Sequence, residues 1–181
     1  MIKKIKFLYT ALYHRAISKN KLAKLVGVNF GKNCIFMTRA WGSEPYLIHM
    51  GDNVNTSSGV SFITHDGSVY VIRKLFPEYK KVDLFGQIVI GNNVFIGINA
   101  TILPNTQIGD NVIIGAETLV KGNLKSNSVY AGIPMRYICS IEEYLHKHKN
   151  NFDNTGDFPP DRKKSFLLKK YNILEKNKCV E

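Results

Sequence analysis

One four-residue phrase recurs along the chain and constrains its fold more than any other feature. An apolar residue, a glycine, a polar residue and an asparagine occur as Phe30-Gly31-Lys32-Asn33, Met50-Gly51-Asp52-Asn53, Ile90-Gly91-Asn92-Asn93 and Ile108-Gly109-Asp110-Asn111. The last two copies start three hexads apart, since 108 − 90 = 18, and Ile96 and Ile102 fall between them at the sixfold steps. The series runs on through Ile114 and Val120 to Ser126. Such a period fits neither a helix, at about 3.6, nor a plain strand, at about 2. It describes a chain that turns a corner at every hexad, so that three sides close one coil and stacked coils bury a continuous core. The first residue of each hexad points inward. A second inward residue lies four positions further on, at Val94, Ala100, Thr106, Val112, Thr118 and Leu124. Glycine and asparagine belong beside the corners, because both tolerate the left-handed backbone conformation.

The irregular spacings locate an insertion. The step from Gly31 to Gly51 is 51 − 31 = 20, one coil plus two; that from Gly51 to Gly91 is 91 − 51 = 40, one coil plus 22. The coil that starts at Met50 continues through Thr56 and Phe62, stops at Phe62-Ile63-Thr64-His65-Asp66, and resumes at Gly86-Gln87-Ile88-Val89-Ile90. An inserted loop therefore spans 66–86, with His65 at its root. Long loops in compact domains are functional or disordered. This one carries Tyr70, Phe76, Tyr79 and Phe85, enough aromatic surface to pack on something.

At 181 residues the chain is one domain with appendages, and 44% hydrophobic content suffices for a core. The three cysteines, Cys34, Cys139 and Cys179, match neither a disulfide framework nor a zinc motif, which points to a reducing, cytoplasmic compartment. The apolar run from Phe7 to Tyr13 is too short for a cleavable leader, and no stretch is long enough to span a membrane. Net charge is +11, and residues 1–43 hold nine Lys or Arg without one Asp or Glu. Two readings of that basic stretch stand side by side: a solvated helix on the end of the stack, or peripheral contact with an anionic partner such as the inner face of a membrane.

Three segments follow. Residues 1–27 read as a basic helix, with Ile5, Leu8, Tyr9, Leu12, Ala16 and Ile17 at helical spacing from Ile2 to Val26. Residues 28–138 hold the coils; the first is imperfect, broken by a loop over 39–45. Residues 139–181 form a helical extension. Ser140-Ile141-Glu142-Glu143 has the form of a capping box for a helix to about Lys149, and Asp161 to Asn177 reads as a final basic helix.

The hexads, the segment Phe62-Ile63-Thr64-His65-Asp66, the return at Ile90-Gly91-Asn92-Asn93-Val94-Phe95-Ile96-Gly97 and the closing Ala131-Gly132-Ile133-Pro134-Met135-Arg136 together resemble the hexapeptide-repeat acyltransferases. The likeness covers residues 28–145 and is nearest to the sugar O-acetyltransferases, with the xenobiotic acetyltransferases as close relatives. It implies an all-β core folded as a left-handed parallel β-helix, an exception to the right-handed crossover rule, with a long inserted loop and flanking α-helices. It implies acetyl-CoA as acyl donor, a saccharide acceptor in surface-polysaccharide assembly, no metal, no nucleic acid, and a homotrimer with sites between subunits.

Acetyl transfer to a sugar hydroxyl requires a base to take the hydroxyl proton as it attacks the thioester. Histidine suits this, with an unperturbed pKa near 6.5. Of His14, His49, His65, His146 and His148, only His65 stands where the coil opens into the insertion, and it matches the family's catalytic histidine. Its second ring nitrogen needs an acceptor. Asp66 is adjacent, but neighbouring side chains in an extended segment point apart. Glu44, in the irregular loop one coil earlier, and Asp66 are the acceptor-side candidates; the resemblance gives Glu44 a sugar hydroxyl to hold. For the donor, the resemblance carries over Gly97 and Ala116, small residues that let the pantetheine arm approach, and Lys121 and Arg136, which meet phosphates. Several relatives place a serine after the returning Ile-Gly. Here Ile98 stands there, so a backbone N–H, that of Ile98 itself, is left to serve the oxyanion. Zinc-dependent enzymes on the same helix use three histidines, whereas only His49 and His65 lie within these coils. An antibiotic acetyltransferase and a non-catalytic trimeric scaffold are the alternatives.

Overall fold

The computed structural model describes residues 17–173. The chain divides into two compact units, Met1–Tyr144 and Leu145–Glu181. Among the described residues of the first, thirteen strands build three parallel sheets. One sheet stacks β1 (Asn29–Phe30), β3 (Ile48–Met50), β6 (Ile88–Ile90), β9 (Thr106–Ile108) and β12 (Asn123–Leu124). The second stacks β2 (Ile35–Phe36), β4 (Asn55–Thr56), β7 (Val94–Ile96), β10 (Val112–Ile114) and β13 (Ser128–Ala131), and is closed by an antiparallel β14 (Arg136–Ser140). The third stacks β5 (Ser61–Phe62), β8 (Thr101–Ile102) and β11 (Leu119–Val120). The chain visits the three sheets in turn, which makes a three-sided parallel β-helix. The hexad positions fill its interior: Ile88, Ile96, Ala100, Ile102, Ile114 and Val120 are completely buried. Each large aliphatic among them contributes about 1.5–3 kcal/mol of burial free energy.

Strand register reproduces the spacings and corrects one of them. Met50 faces Ile90, and Ile90 faces Ile108. The last coil is shorter: Ile108 faces Leu124 and Val112 faces Ser128, a step of 16 rather than 18. Ser126 is therefore an exposed corner residue and not an inward one. Two residues are lost at the corner after Val120, so the strict sixfold register ends there.

Glycine and asparagine divide the corner work. Asn33, Asn53, Asn93, Asn99, Asn105, Asn111 and Asn127 hold φ between 55° and 59°, and Glu117 takes the same conformation. Their side chains form ladders between coils, Asn93 donating to Asn111 and Asn111 to Asn127 at 2.8 Å each. The glycines of the repeat serve close stacking instead. A Cβ on Gly91 would stand 2.8 Å from the backbone carbonyl carbon of Gly109.

Both ends of the stack are covered. Helix α1 (Lys19–Val26) starts at a Ser18 cap whose side chain accepts the Lys21 N–H at 3.3 Å. The predicted helix thus does not run through 17–18; its earlier part, with His14, lies outside the described residues. Asn20 of α1 donates to the Cys34 carbonyl at 2.6 Å and accepts the Phe36 N–H at 3.1 Å, standing in for a strand beside β2. Phe36 meets Trp41 edge-on, and Trp41 stacks on Phe62, with centroids 5.0 and 5.1 Å apart. At the far end β14 folds back on β13.

The insertion is structured. It contains α2 (Val69–Leu75) and a 3-10 turn at Pro77–Tyr79. Arg73 closes it through the Val82 carbonyl at 2.6 Å and the Asp83 carboxylate. The capping box forms as expected: Ser140 N–H donates to Glu143 Oε2 at 2.7 Å, and Glu143 N–H to Ser140 Oγ at 3.1 Å, opening α3 (Ile141–His148). In the second unit, α4 (Pro160–Lys170) is held by Lys170 on Asp153 at 2.7 Å. The predicted continuation to Asn177 and Cys179 fall outside the described residues. No described helix is long and apolar enough to cross a membrane.

Candidate active site

His65 lies at the edge between the third sheet and the first, just past β5. A backbone bridge to Phe85 pins it, with Asp66 N–H donating to the Leu84 carbonyl and Gly86 N–H to the Thr64 carbonyl, both at 2.8 Å. The insertion therefore leaves and re-enters at one point, and the Phe85 ring stands edge-on to the imidazole at 6.4 Å.

The Nδ1 side of His65 is occupied. Glu44 Oε2 is 3.1 Å from Nδ1, and Ser43 Oγ is 3.0 Å from the same atom. Both come from the irregular loop of the first coil. Gly42 permits that loop: its φ is +72°, and a Cβ there would lie 2.8 Å from the Phe62 carbonyl oxygen. The Thr64 hydroxyl donates to Glu44 Oε2 at 2.8 Å. Burial pushes the Glu44 carboxyl up, but hydrogen bonds from the Thr64 hydroxyl and the His65 ring outweigh it and hold the group below the ordinary carboxylate range. An ionised carboxylate only accepts. The proton on the His65 ring is accordingly assigned to Nδ1, facing Glu44, which leaves the Nε2 lone pair directed away from this pair. The imidazole is 44% exposed, whereas Glu44 is 17% exposed.

Glu44 thus contacts the imidazole through Oε2. Asp66 turns away: its Oδ1 accepts the Ser68 N–H at 2.8 Å. That bond and the Ser68 hydroxyl hold its carboxyl below the ordinary range, with further help from the Lys121 charge. Ser43 and Thr64 were not singled out in the sequence. A signal for them existed, because the offset of 20 between the first two coils sets residue 44 beside residue 64.

His65, Asp66, Gly67, Leu84, Leu103 and Lys121 line a cleft of about 420 Å³. The root of the insertion, not its tip, forms part of the wall. Of the donor-side residues, only Lys121 reaches this cleft. Gly97, Ile98 and Ala116 lie at the other edge of the third sheet, where the chain turns out of β7 and β10. A Cβ on Gly97 would stand 2.6 Å from the Ala116 nitrogen, so Gly97 is required for coil stacking whatever else it does. Ile98 is half exposed, and its carbonyl takes the Glu117 N–H at 2.8 Å. Arg136 is exposed at the start of β14, opposite Ala131. His49 on β3 meets Asn29 at 3.5 Å.

Comparison with known proteins agrees with this architecture. Residues 87–122 match the family described as bacterial transferase hexapeptide (six repeats). Protein CapG of Staphylococcus aureus is 44% identical over 170 residues, covering 92% of this chain and 96% of CapG. Galactoside O-acetyltransferase of Escherichia coli (strain K12) is 36% identical over 101 residues, which are 55% of this chain and 47% of that protein. A solved galactoside acetyltransferase in complex with coenzyme A shares the fold, with a TM-score of 0.54 at 24% identity over 71% of this chain and 81% of the other. By its repeats, its three-sided coil and its near end-to-end match to CapG, the chain belongs to the hexapeptide-repeat family of bacterial acyltransferases.

Proposed function

We propose that this acyltransferase moves the acetyl group of acetyl-CoA to a hydroxyl of a saccharide, with His65 as general base and Glu44 as the group that orients it. The observation that carries this reading is the contact of Glu44 Oε2 with His65 Nδ1 at 3.1 Å, beside the open cleft. The name of the galactoside O-acetyltransferase relative supports a saccharide acceptor, and the sequence resemblance favours a saccharide of surface-polysaccharide assembly. The winding of the coil is left-handed in this reading, as the family implies.

Acetyl-CoA supplies the acyl carbon as a thioester. The residues of the chain fit such a donor: Lys121 and Arg136 carry the charge that phosphates require, and the Leu84 and Leu103 side chains give the cleft apolar walls for an uncharged arm. His65 Nε2 takes the proton of the acceptor hydroxyl as its oxygen attacks. Glu44 holds Nδ1–H and steadies the imidazolium that results. The proton leaves His65 for the departing thiolate, which restores the base. Charge that develops on the carbonyl oxygen needs a donor, and the Ile98 N–H is our candidate.

His65 and Ile98 sit on neighbouring coils at opposite edges of the third sheet, so one groove edge of a subunit holds only half of this constellation. Three copies around a three-fold axis would bring the two kinds of edge together in each groove. The test of the base is direct. His65→Ala should fold and bind coenzyme A like the wild type, while turnover falls by roughly 10²–10⁴-fold. Mass spectrometry across a panel of saccharides with acetyl-CoA identifies the acceptor for that assay. Near-normal turnover by the alanine variant would refute the assignment.

A further inference from the structure

We propose that Thr64 is a positioning residue for the transfer reaction, a buried hydroxyl that fixes the Glu44 carboxylate on His65 and so sets which ring nitrogen is free to act. The inference rests on the His65–Glu44 reading above and adds the part that holds the pair together.

Thr64 is completely buried. A buried hydroxyl without partners is costly, and this one is used twice. It donates to Glu44 Oε2 at 2.8 Å and accepts the Glu44 N–H at 3.4 Å. The two contacts form a reciprocal clamp on a single residue of another coil. The same Oε2 meets His65 Nδ1, so Thr64 and His65, neighbours in sequence, grip one oxygen from two sides. The Thr64 carbonyl meanwhile accepts the Gly86 N–H, which anchors the return of the insertion next to His65. Gly42 packs against the same hydroxyl, where a Cβ would come within 3.1 Å of Thr64 Oγ1. Three segments thus meet at one residue.

The alternative partner of Nδ1 gives the clamp its purpose. Ser43 Oγ lies at 3.0 Å, and a hydroxyl can donate as well as accept. If Ser43 donates, Nδ1 must be the bare nitrogen, and the proton sits on Nε2, where a base needs none. A carboxylate admits only one answer. Keeping Glu44 on Nδ1 keeps Nε2 bare, and Thr64 is what keeps Glu44 there.

The test uses the full-length protein. Thr64→Val preserves the buried volume and removes the donor; Thr64→Ser keeps the donor. Long-range nitrogen NMR of protein labelled at histidine reads the His65 tautomer without any acceptor. Wild type and Thr64→Ser should show Nδ1 protonated at neutral to alkaline pH, and Thr64→Val should show a mixture of tautomers. With an acceptor that the wild type turns over, Thr64→Val should lower kcat about 10-fold or more, a part of the roughly 10²–10⁴-fold that a positioned base contributes. The KM for acetyl-CoA should stay within about twofold, since ground-state donor contacts are untouched. In a Glu44→Ala background the Thr64→Val change should cost nothing further. Melting and light scattering establish that each variant folds. Should the valine protein not fold, Thr64→Cys, with a weak donor of similar size, carries the same comparison. An unshifted tautomer in Thr64→Val, or losses that multiply with Glu44→Ala, would overturn the proposal. A fully active His65→Ala overturns the base reading instead, a distinct result because the tautomer is measured without turnover.

Discussion

At the scale of single residues, the corners show one task shared between two side chains. Asn111 holds φ at 56° and bonds to both neighbours in its ladder, accepting from Asn93 and donating to Asn127. Replacing it separates conformation from hydrogen bonding. Asn111→Gly loses the ladder but relieves the backbone, while Asn111→Ala loses the ladder and keeps a Cβ in the left-handed region without the polar side chain that lets asparagine adopt it, at a cost of about 1–2 kcal/mol. Thermal melting should therefore rank wild type above glycine and glycine above alanine; alanine equal to glycine would show that the corner conformation is not limiting. From the sequence, Asn and Gly both looked like corner formers. Only the stacking distances reveal that Gly91 and Gly51 answer to the coil next to them, because period alone cannot distinguish a turn from a close approach.

Among the elements, the hexads were legible because each one repeats the same inward choice, so the interior of the coil could be named before any coordinates. The exceptions are the places where that choice changes. The coil after Val120 loses two residues and moves the inward position from Ser126 to Leu124. His65 stood out because the repeat stops there, whereas for Ser43 and Thr64 the one sequence signal is the offset of 20 between the first two coils, which names the neighbours and not the path of the loop that joins them. The insertion was legible as a length and not as a fold: α2 and its closing Arg73 contacts carry no repeat. Its Tyr70, Phe76 and Tyr79 remain exposed, while Leu84 and Gly67 line the cleft. Replacing residues 69–83 by a short Gly-Ser linker, with Leu84 kept, should leave a trimer that binds coenzyme A but fails to turn over the acceptor. Light scattering, calorimetry and kinetics read the three properties separately. Loss of the trimer would make the insertion a brace between subunits, and unchanged acceptor kinetics would remove it from the acceptor site.

For the whole molecule, the separation of His65 from Arg136 and Ile98 is the main constraint. If the site lies between subunits, each groove draws His65 and Lys121 from one chain and Arg136 and Ile98 from the next. Mixed trimers of His65→Ala and Arg136→Ala chains then contain some grooves with both residues intact. Co-expression of the two should restore activity well above that of either variant alone. No recovery in trimers shown by native mass spectrometry to be mixed would place the site within a single chain. Closed cyclic assembly of this kind also hides the flat sides that a three-sided coil exposes.

The covers at the two ends of the stack bear on how such a chain stays finite. A pile of parallel strands presents an unsatisfied edge at top and bottom, each a template for another strand. In the second sheet the Asn20 amide fills the edge at β2, and β14 folds back antiparallel on β13 at the other end. On the second sheet, end-to-end growth is opposed by these two devices and not by the repeat itself. The number of coils is therefore a free variable of the sequence between them: whole turns, the unit seen from Ile90 to Ile108, can enter or leave the middle while both stoppers stay as they are.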